Sequence, residues 1–446
     1  MNNQTSTAIP IILTAFLSGC ASISENTAFH EYDNIKNKFY NSASTTAAPK
    51  YPDENSTVDN YINHAFLVNP ELKAAFNRWK ASLEQARQAG YLDDPSLTFE
   101  KAIDEVDLDY RVAISQKIPW YGKRSLLKKA KIAGAEEAMY EFETVKLELY
   151  MKVVMAFNEY QYLGRVTSVT SDNLKLLTDM EAAVRARYES GKAEFSDLIK
   201  VQVEMDKLKN ELSTLQDQRL VRSNMLAALL DLKMDKALPW PKMQLLDQTD
   251  IPDDVLFDML RDLNPELKAM DSMLEKKKLS LDLARKTGWP DFVFGASWMA
   301  MPENDAGEHM TDTGLMAGIT LPIWRGKYSA ERKEAEAMYK AVFNKRKDLT
   351  NRLKVELRTA LFKSKDALRR IKLFEDSLLP KAKQALEVTR KDYASGKANF
   401  MSLIDAQRTL LEFTVMHVRA LADREIAIAE IGCCVGKYQA PGESTK

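Results

Sequence analysis

Two hydrophobic periodicities alternate along this chain, and they change places twice at matching landmarks. Leu72, Phe76, Trp79, Leu83 and Ala86 step by four and three, the spacing of one helical face. Leu267, Met270, Leu274 and Leu281 predict a second helix of the same kind. After each comes an alternation of period two. Leu97 and Phe99 alternate with Thr98 and Glu100, and Tyr110, Val112 and Ile114 with Arg111, Ala113 and Ser115. Later, Phe292, Phe294, Ala296 and Trp298 alternate with Val293, Gly295, Ser297 and Met299, and Leu315, Ala317, Ile319 and Leu321 with Met316, Gly318 and Thr320. These predict two strand hairpins, each with an aromatic-rich apolar face and a small or polar one, the pattern of strands between lipid and water. The first pair, interrupted by Lys101, fits an ordinary half-buried hairpin nearly as well.

A long helical stretch follows each strand pair. From Arg124 to Tyr188 there is no Pro and only two Gly. That allows about 65 helical residues, on the order of 100 Å at 1.5 Å per residue. Ser190-Gly191-Lys192 predicts the break, with Gly as a left-handed cap. Leu198, Val201, Met205, Leu208, Leu212 and Leu215 then predict a returning helix on a heptad seam. Ser395-Gly396-Lys397 and Leu403, Ala406, Leu410 and Phe413 repeat the arrangement. Pro380 predicts an interruption of the second outgoing helix, as the first residue of a new segment after a kink. The stretches from Pro119 to Gly122 and from Pro322 to Gly326 predict turns that stop a strand and launch a helix.

The chain is an internal duplication. Asn69-Pro70-Glu71-Leu72-Lys73-Ala74 recurs unchanged at Asn264 to Ala269, and Asp94-Pro95 is echoed by Trp289-Pro290-Asp291. Ile118-Pro119-Trp120-Tyr121-Gly122-Lys123 is echoed by Leu321 to Lys327. Tyr188-Glu189-Ser190-Gly191-Lys192-Ala193-Glu194-Phe195 recurs as Tyr393 to Phe400. The expected organisation is a repeat over 57–232 and a second over 264–436, joined by a region over 233–263, with an N-terminal linker over 20–56 and a tail over 437–446. The fold class is mostly α with a small β part.

Charge narrows the function. The 63 basic and 64 acidic side chains nearly cancel, which argues against a nucleic-acid surface, since that needs a clustered basic excess. Residues 1–19 read as a signal peptide, with an apolar run from Ile9 to Phe16 too short to span a bilayer. Leu17-Ser18-Gly19-Cys20 has the form of a bacterial lipobox, so Cys20 is expected to carry a covalent lipid, although no Lys or Arg precedes it. Ala21, in place of Asp, implies the outer membrane of a Gram-negative bacterium. Elsewhere no run of about 18 apolar residues appears, so a membrane crossing would need a barrel. Four strands cannot close one, since the smallest have about eight. Under the barrel reading, several copies must therefore pool their strands.

Candidate chemistry does not assemble. His30, His64, His309 and His417 are scattered, and Met299, Met301, His309 and Met310 suit packing better than a soft-metal site. Cys433 and Cys434 read as two packed thiols in preference to a strained vicinal disulfide. No nucleophile–base set or phosphate-cradling loop is present. Neither catalysis nor a metal or other cofactor is expected, beyond the lipid on Cys20. A periplasmic helical-hairpin adaptor and a structural coiled-coil lipoprotein stay open as alternatives. The first would carry a single hairpin, and the second would lack the lipid-facing strands.

Two repeats of strand pair plus long helical hairpin, the lipobox and the two Tyr-x-Ser-Gly-Lys-x-x-Phe turns resemble the TolC family of outer-membrane efflux proteins. The Ile-Pro-Trp-Tyr-Gly-Lys-Arg segment at 118–124 is most similar to members paired with heavy-metal and related resistance-nodulation-division pumps. The resemblance implies a homotrimer with a 12-strand β-barrel on a 12-helix α-barrel. It would be a passive exit duct reached from an inner-membrane pump through a periplasmic adaptor, with its helices in the periplasm. It also implies that Ser190, Gly191, Lys192, Ser395, Gly396 and Lys397 form adaptor-docking tips. Asp197 and Asp405, six residues after Gly191 and nine after Gly396, then match acidic positions around the aperture. Ser402 stands where many members have a second Asp, which implies a less acidic gate.

Overall fold

The computed structural model describes residues 27, 29–36, 53, 55–101, 110–241, 251–301 and 311–437. Cys20, the signal peptide, most of the N-terminal linker, His309, Met310 and the end of the tail lie outside the described residues. In chain order the elements are α1 (residues 29–36), α2 (Val58–Val68), α3 (Pro70–Gln88), β1 (Ser96–Lys101), β2 (Tyr110–Ile118), α4 (Lys123–Glu189) and α5 (Phe195–Leu229). The second half runs α6 (Asp253–Leu263), α7 (Pro265–Thr287), β3 (Phe292–Ala300), β4 (Thr311–Ile319), α8 (Arg325–Leu373), a π-helical turn (Phe374–Leu378), α9 (Leu379–Ala394) and α10 (Phe400–Val435). Mostly helical, with one small sheet, the chain has the expected class. It divides into two compact units.

One unit takes residues 1–41, 75–142 and 266–349. Its sheet is antiparallel in the order β1-β2-β3-β4. The register aligns Leu97 with Ile114, Phe99 with Val112, Val112 with Trp298, and Phe294 with Ala317. Paired residues share a face, so the apolar positions of all four strands fall on one side, as period two requires. That side is exposed at Leu97, Phe99, Ile114, Phe294, Trp298 and Leu315. In the same unit Phe76, Trp79 and Phe142 form an aromatic core that Tyr32 of α1 joins, 5.1 Å from Phe76 and 5.4 Å from Trp79.

The two strand-to-helix turns differ. In the first, Gly122 takes φ 86° and α4 starts at the next residue. Asp291 accepts from Trp120 N–H at 2.9 Å and from the Lys123 ammonium at 2.8 Å, with Lys117 at 3.3 Å. In the second, α8 already starts at Arg325, so Gly326 lies inside the helix with no left-handed conformation to supply. Equating the two glycines is therefore corrected. The second Pro-containing turn is longer by one residue, and Trp324 and Arg325 take up the launch.

The other unit takes residues 42–74, 143–265 and 350–446. It explains the repeated Asn-Pro-Glu-Leu-Lys-Ala. Asn69 Oδ1 accepts from the N–H groups of Glu71 and Leu72 at 3.0 and 3.1 Å, capping α3. Its amide donates to Leu229 O at 3.0 Å, and Asn264 donates likewise to Cys434 O at 2.9 Å. Each repeat thus ties its beginning to its own end. Pro380 falls in the first turn of α9, where a new segment is expected to begin, but the backbone does not leave the helical region at the junction. Leu378 and Leu379 keep right-handed helical backbone, and the chain widens into the π turn over 374–378 just before the proline. A π turn shifts the hydrogen-bond ladder by one residue, which accommodates a position with no N–H to donate.

Candidate gate and docking tips

Each long hairpin ends in the same turn. At the first tip Gly191 N–H donates to Tyr188 O at 2.9 Å and Lys192 N–H to Arg187 O at 2.8 Å. At the second, Gly396 N–H donates to Tyr393 O at 3.1 Å and Lys397 N–H to Asp392 O at 2.8 Å. This double closure needs a left-handed residue at its centre. Gly191 and Gly396 supply it, with φ of 72° and 79°. Ser190 and Ser395 return their hydroxyls to the carbonyls of Arg187 and Asp392. Lys192 and Lys397 are exposed.

The returning helices start differently. Asn399 caps α10, its Oδ1 accepting both the N–H and the hydroxyl of Ser402 at 2.9 Å. Ser402 is thus part of the cap. Glu194, at the matching position, makes no cap bond. Asp197 is largely shielded and lies 3.3 Å from the Lys200 ammonium. Burial, and then the charge of Asp197, push the Tyr393 hydroxyl above its ordinary value. Asp405 is exposed and 3.8 Å from Arg408. The two acids are not equivalents. With the tips aligned (Gly191 on Gly396), Asp197 matches Ser402, and Asp405 matches Lys200.

Three polar contacts join the two tips within one chain. Arg187 donates to Ala394 O at 2.8 Å and lies 4.8 Å over the Tyr393 ring. Gln407 donates to Asn173. Arg408 grips Glu204 with two nitrogens, Nε at 3.2 Å. That grip holds the Glu204 carboxyl below its ordinary value, against the opposing effect of burial. Below them Val184, Val201, Tyr393, Phe400 and Ile404 share one apolar core. Arg187, Glu204 and Arg408 leave no local signal in the sequence, because each pair spans about two hundred positions.

An open antiparallel sheet with one apolar exposed face, duplicated hairpins and paired tips define a type that a family model describes. The model for outer membrane efflux proteins matches residues 61–231 and 256–436. The chain belongs to the outer membrane efflux protein family. The efflux protein is 25% identical to toxin and drug export protein A of Aggregatibacter actinomycetemcomitans over 44% of this chain. That match also covers 44% of the relative, less than half of its length. It is 21% identical to pyoverdine export outer membrane protein OpmQ of Pseudomonas aeruginosa, over 84% of this chain and 77% of that one. Among solved structures, the outer membrane protein VceC of Vibrio cholerae matches with a TM-score of 0.72 at 18% identity, over 85% of this chain and 96% of that chain. The fold is thus TolC-type, and the efflux protein is an outer-membrane efflux channel in a family of channels, not of enzymes.

The remaining candidates keep structural partners. His64 is buried with Nε2 3.2 Å from Leu230 O, and His417 lies 3.0 Å from Glu375. Among the described residues no group of three or more His, Cys, Asp or Glu could hold a metal. Cys433 and Cys434 are both reduced, and burial pushes the Cys434 thiol up to about 12. No helix among the described residues is long and apolar enough to cross a membrane.

Proposed function

We propose that three copies of the efflux protein pool their sheets into a twelve-stranded outer-membrane barrel and their hairpins into a twelve-helix tunnel through the periplasm. The duct is passive. An inner-membrane pump of the resistance-nodulation-division type drives export and reaches it through a periplasmic adaptor that docks at the tips around Gly191 and Gly396. Cys20, lipidated, tethers the N-terminus to the outer membrane.

The sheet is the observation that carries this reading. Its outer strands, β1 and β4, each pair on one side only, and its apolar face is bare. Two open edges and a lipid-compatible face call for more strands.

In three copies, Asp197 and Asp405 place six carboxylates at the narrow periplasmic end. Carboxylates grouped this closely attract cations. Alanine at both positions should raise single-channel conductance in planar bilayers and weaken block by divalent cations. The effect should be moderate, since Lys200 and Arg408 already stand beside the two acids and Ser402 adds no charge. Unchanged conductance together with unchanged divalent block would place the constriction elsewhere.

A further inference from the structure

The strand-to-helix turns gather cations and aromatic rings at one end of the sheet. Strands β3 and β4 have nine residues each, and a tilted strand of about 9–11 residues crosses a hydrocarbon layer. Residues just beyond Phe292 and Ile319 therefore fall at headgroup depth. There Trp289 stacks on Trp120 at 5.2 Å, and Trp120 stacks on Phe292 at 5.5 Å. Phe292 belongs to the apolar sheet face, so the stack carries that face past the strand ends, where amphipathic indoles favour a membrane interface. Trp289 then lines a cleft of about 360 Å³ between the end of α7 and the start of α8.

Three guanidiniums line this cleft, those of Arg285, Arg325 and Arg332, with Tyr328 beside them. No acidic residue of the described chain lines it. Arg285 has a carboxylate neighbour in an exposed pair, Asp282 at 3.0 Å. Arg325 and Arg332 meet no carboxylate among the described residues, and Arg332 Nε donates to the Tyr328 carbonyl at 3.4 Å. Cations gathered with no acid between them repel one another, and an anion relieves that repulsion. The duplication keeps the place of the cleft. Pairing Pro95 with Pro290 sets Ala89 on Ala284 and Asp93 on Gly288, and the turn prolines Pro119 and Pro322 correspond. Ala89 and Pro119 line a first-repeat cleft of about 420 Å³, together with Arg124 and Lys131. That cleft also has Asp93, and its Lys123 is held by Asp291 at 2.8 Å. In the second cleft the positive charge is unanswered.

Resting on the barrel reading above, we infer that the Arg285–Arg325–Arg332 cleft holds the phosphate of an anionic phospholipid from the periplasm-facing leaflet, one lipid per copy. A guanidinium fork matches phosphate oxygens in pairs, and basic pockets beside a membrane take such headgroups. The acyl chains run past Trp289 and Trp120 onto the apolar sheet face, so one molecule answers both features of the surface. A free phosphate would use the arginines alone and leave the aromatic stack bare.

Native mass spectrometry of the delipidated full-length protein tests this. The probes are dioleoylphosphatidylglycerol, dioleoylglycerol (the same chains without phosphate) and inorganic phosphate. The parent trimer should bind one phosphatidylglycerol per copy about tenfold more tightly than dioleoylglycerol, and inorganic phosphate should not displace it. Arg325→Gln with Arg332→Gln should weaken the phospholipid about tenfold or more, as expected for two cations beside an anionic headgroup. Lys345→Gln with Lys347→Gln removes the same charge from exposed positions further along α8 and should change binding less than about twofold. Equal affinity for the two lipids would overturn the site in favour of apolar adhesion. An equal loss in both variants would overturn it in favour of overall charge, and displacement by inorganic phosphate would overturn the lipid as occupant. Should the arginine variant fail to assemble, the parent's choice between the two lipids decides alone. A parent that stays a single copy would overturn the barrel reading and the lipid site with it.

Discussion

Gly164 and Trp240 show how much a single position can hide. Inside a long helix an isolated glycine reads as a tolerated weakness, and a tryptophan in a linker has no period to report it. In the structure the indole stacks on Tyr160 with centroids 4.7 Å apart, under the Arg219 guanidinium at 4.4 Å. Leu238, two residues earlier, accepts from the Tyr160 hydroxyl and donates its N–H to Ser223 Oγ at 2.6 Å. A Cβ on Gly164 would lie 2.7 Å from the indole edge, so the glycine is there for close approach. Gly164→Ala should therefore cost ~1–3 kcal/mol of stability through overpacking, read as a lowered urea midpoint in detergent. Trp240→Leu in the same chain should restore part of the loss. An alanine variant as stable as the parent would mean the linker is not seated there. Asp291 makes the same point from the polar side. The sequence places it in an echo of Asp94-Pro95, but the donors Trp120, Lys117 and Lys123 come from another repeat.

Elements were readable where their period is short. The strand faces follow from alternation alone, and the register puts Leu97, Val112, Ile114 and Trp298 on one side as expected. The helix breaks were readable because Ser-Gly-Lys forces a left-handed residue. Helix α2, helix α6 and the π turn were not foreseen. The two helices lie outside the repeated landmarks, and a π turn leaves only Pro380 as its trace. The side on which each hairpin faces its twin was equally hidden. A heptad seam gives apolar spacing but not the ionic grip of Arg408 on Glu204. That grip carries a pH signature. Its hydrogen bonds hold the Glu204 carboxyl below its ordinary 4.5, so its contribution is complete above that value and is lost as pH falls through the lowered one. Glu204→Gln should destabilise the protein slightly at neutral pH, by ~0.2–1 kcal/mol for a surface pair, read as a lowered thermal midpoint. The gap between parent and variant should close on acidification below 4.5. A gap independent of pH would show that the grip is not ionic.

At the scale of the whole molecule, the sequence said more than any single site did. The duplication, the unclosed set of four strands and the aromatic strand face together required partners, and the family match over both repeats agrees with that architecture. What a channel exports has no counterpart in the residues, since a water-filled duct makes few selective contacts. The central claim, an outer-membrane duct made by several identical chains, is open to one direct measurement. Native mass spectrometry of the protein extracted from outer membranes in mild detergent reads copy number and lipid adducts together. The account predicts three copies, each starting at Cys20 and carrying a diacylglycerol adduct. Three copies without the adduct would remove the anchor and leave the duct, whereas a single copy with no higher assembly would contradict the account.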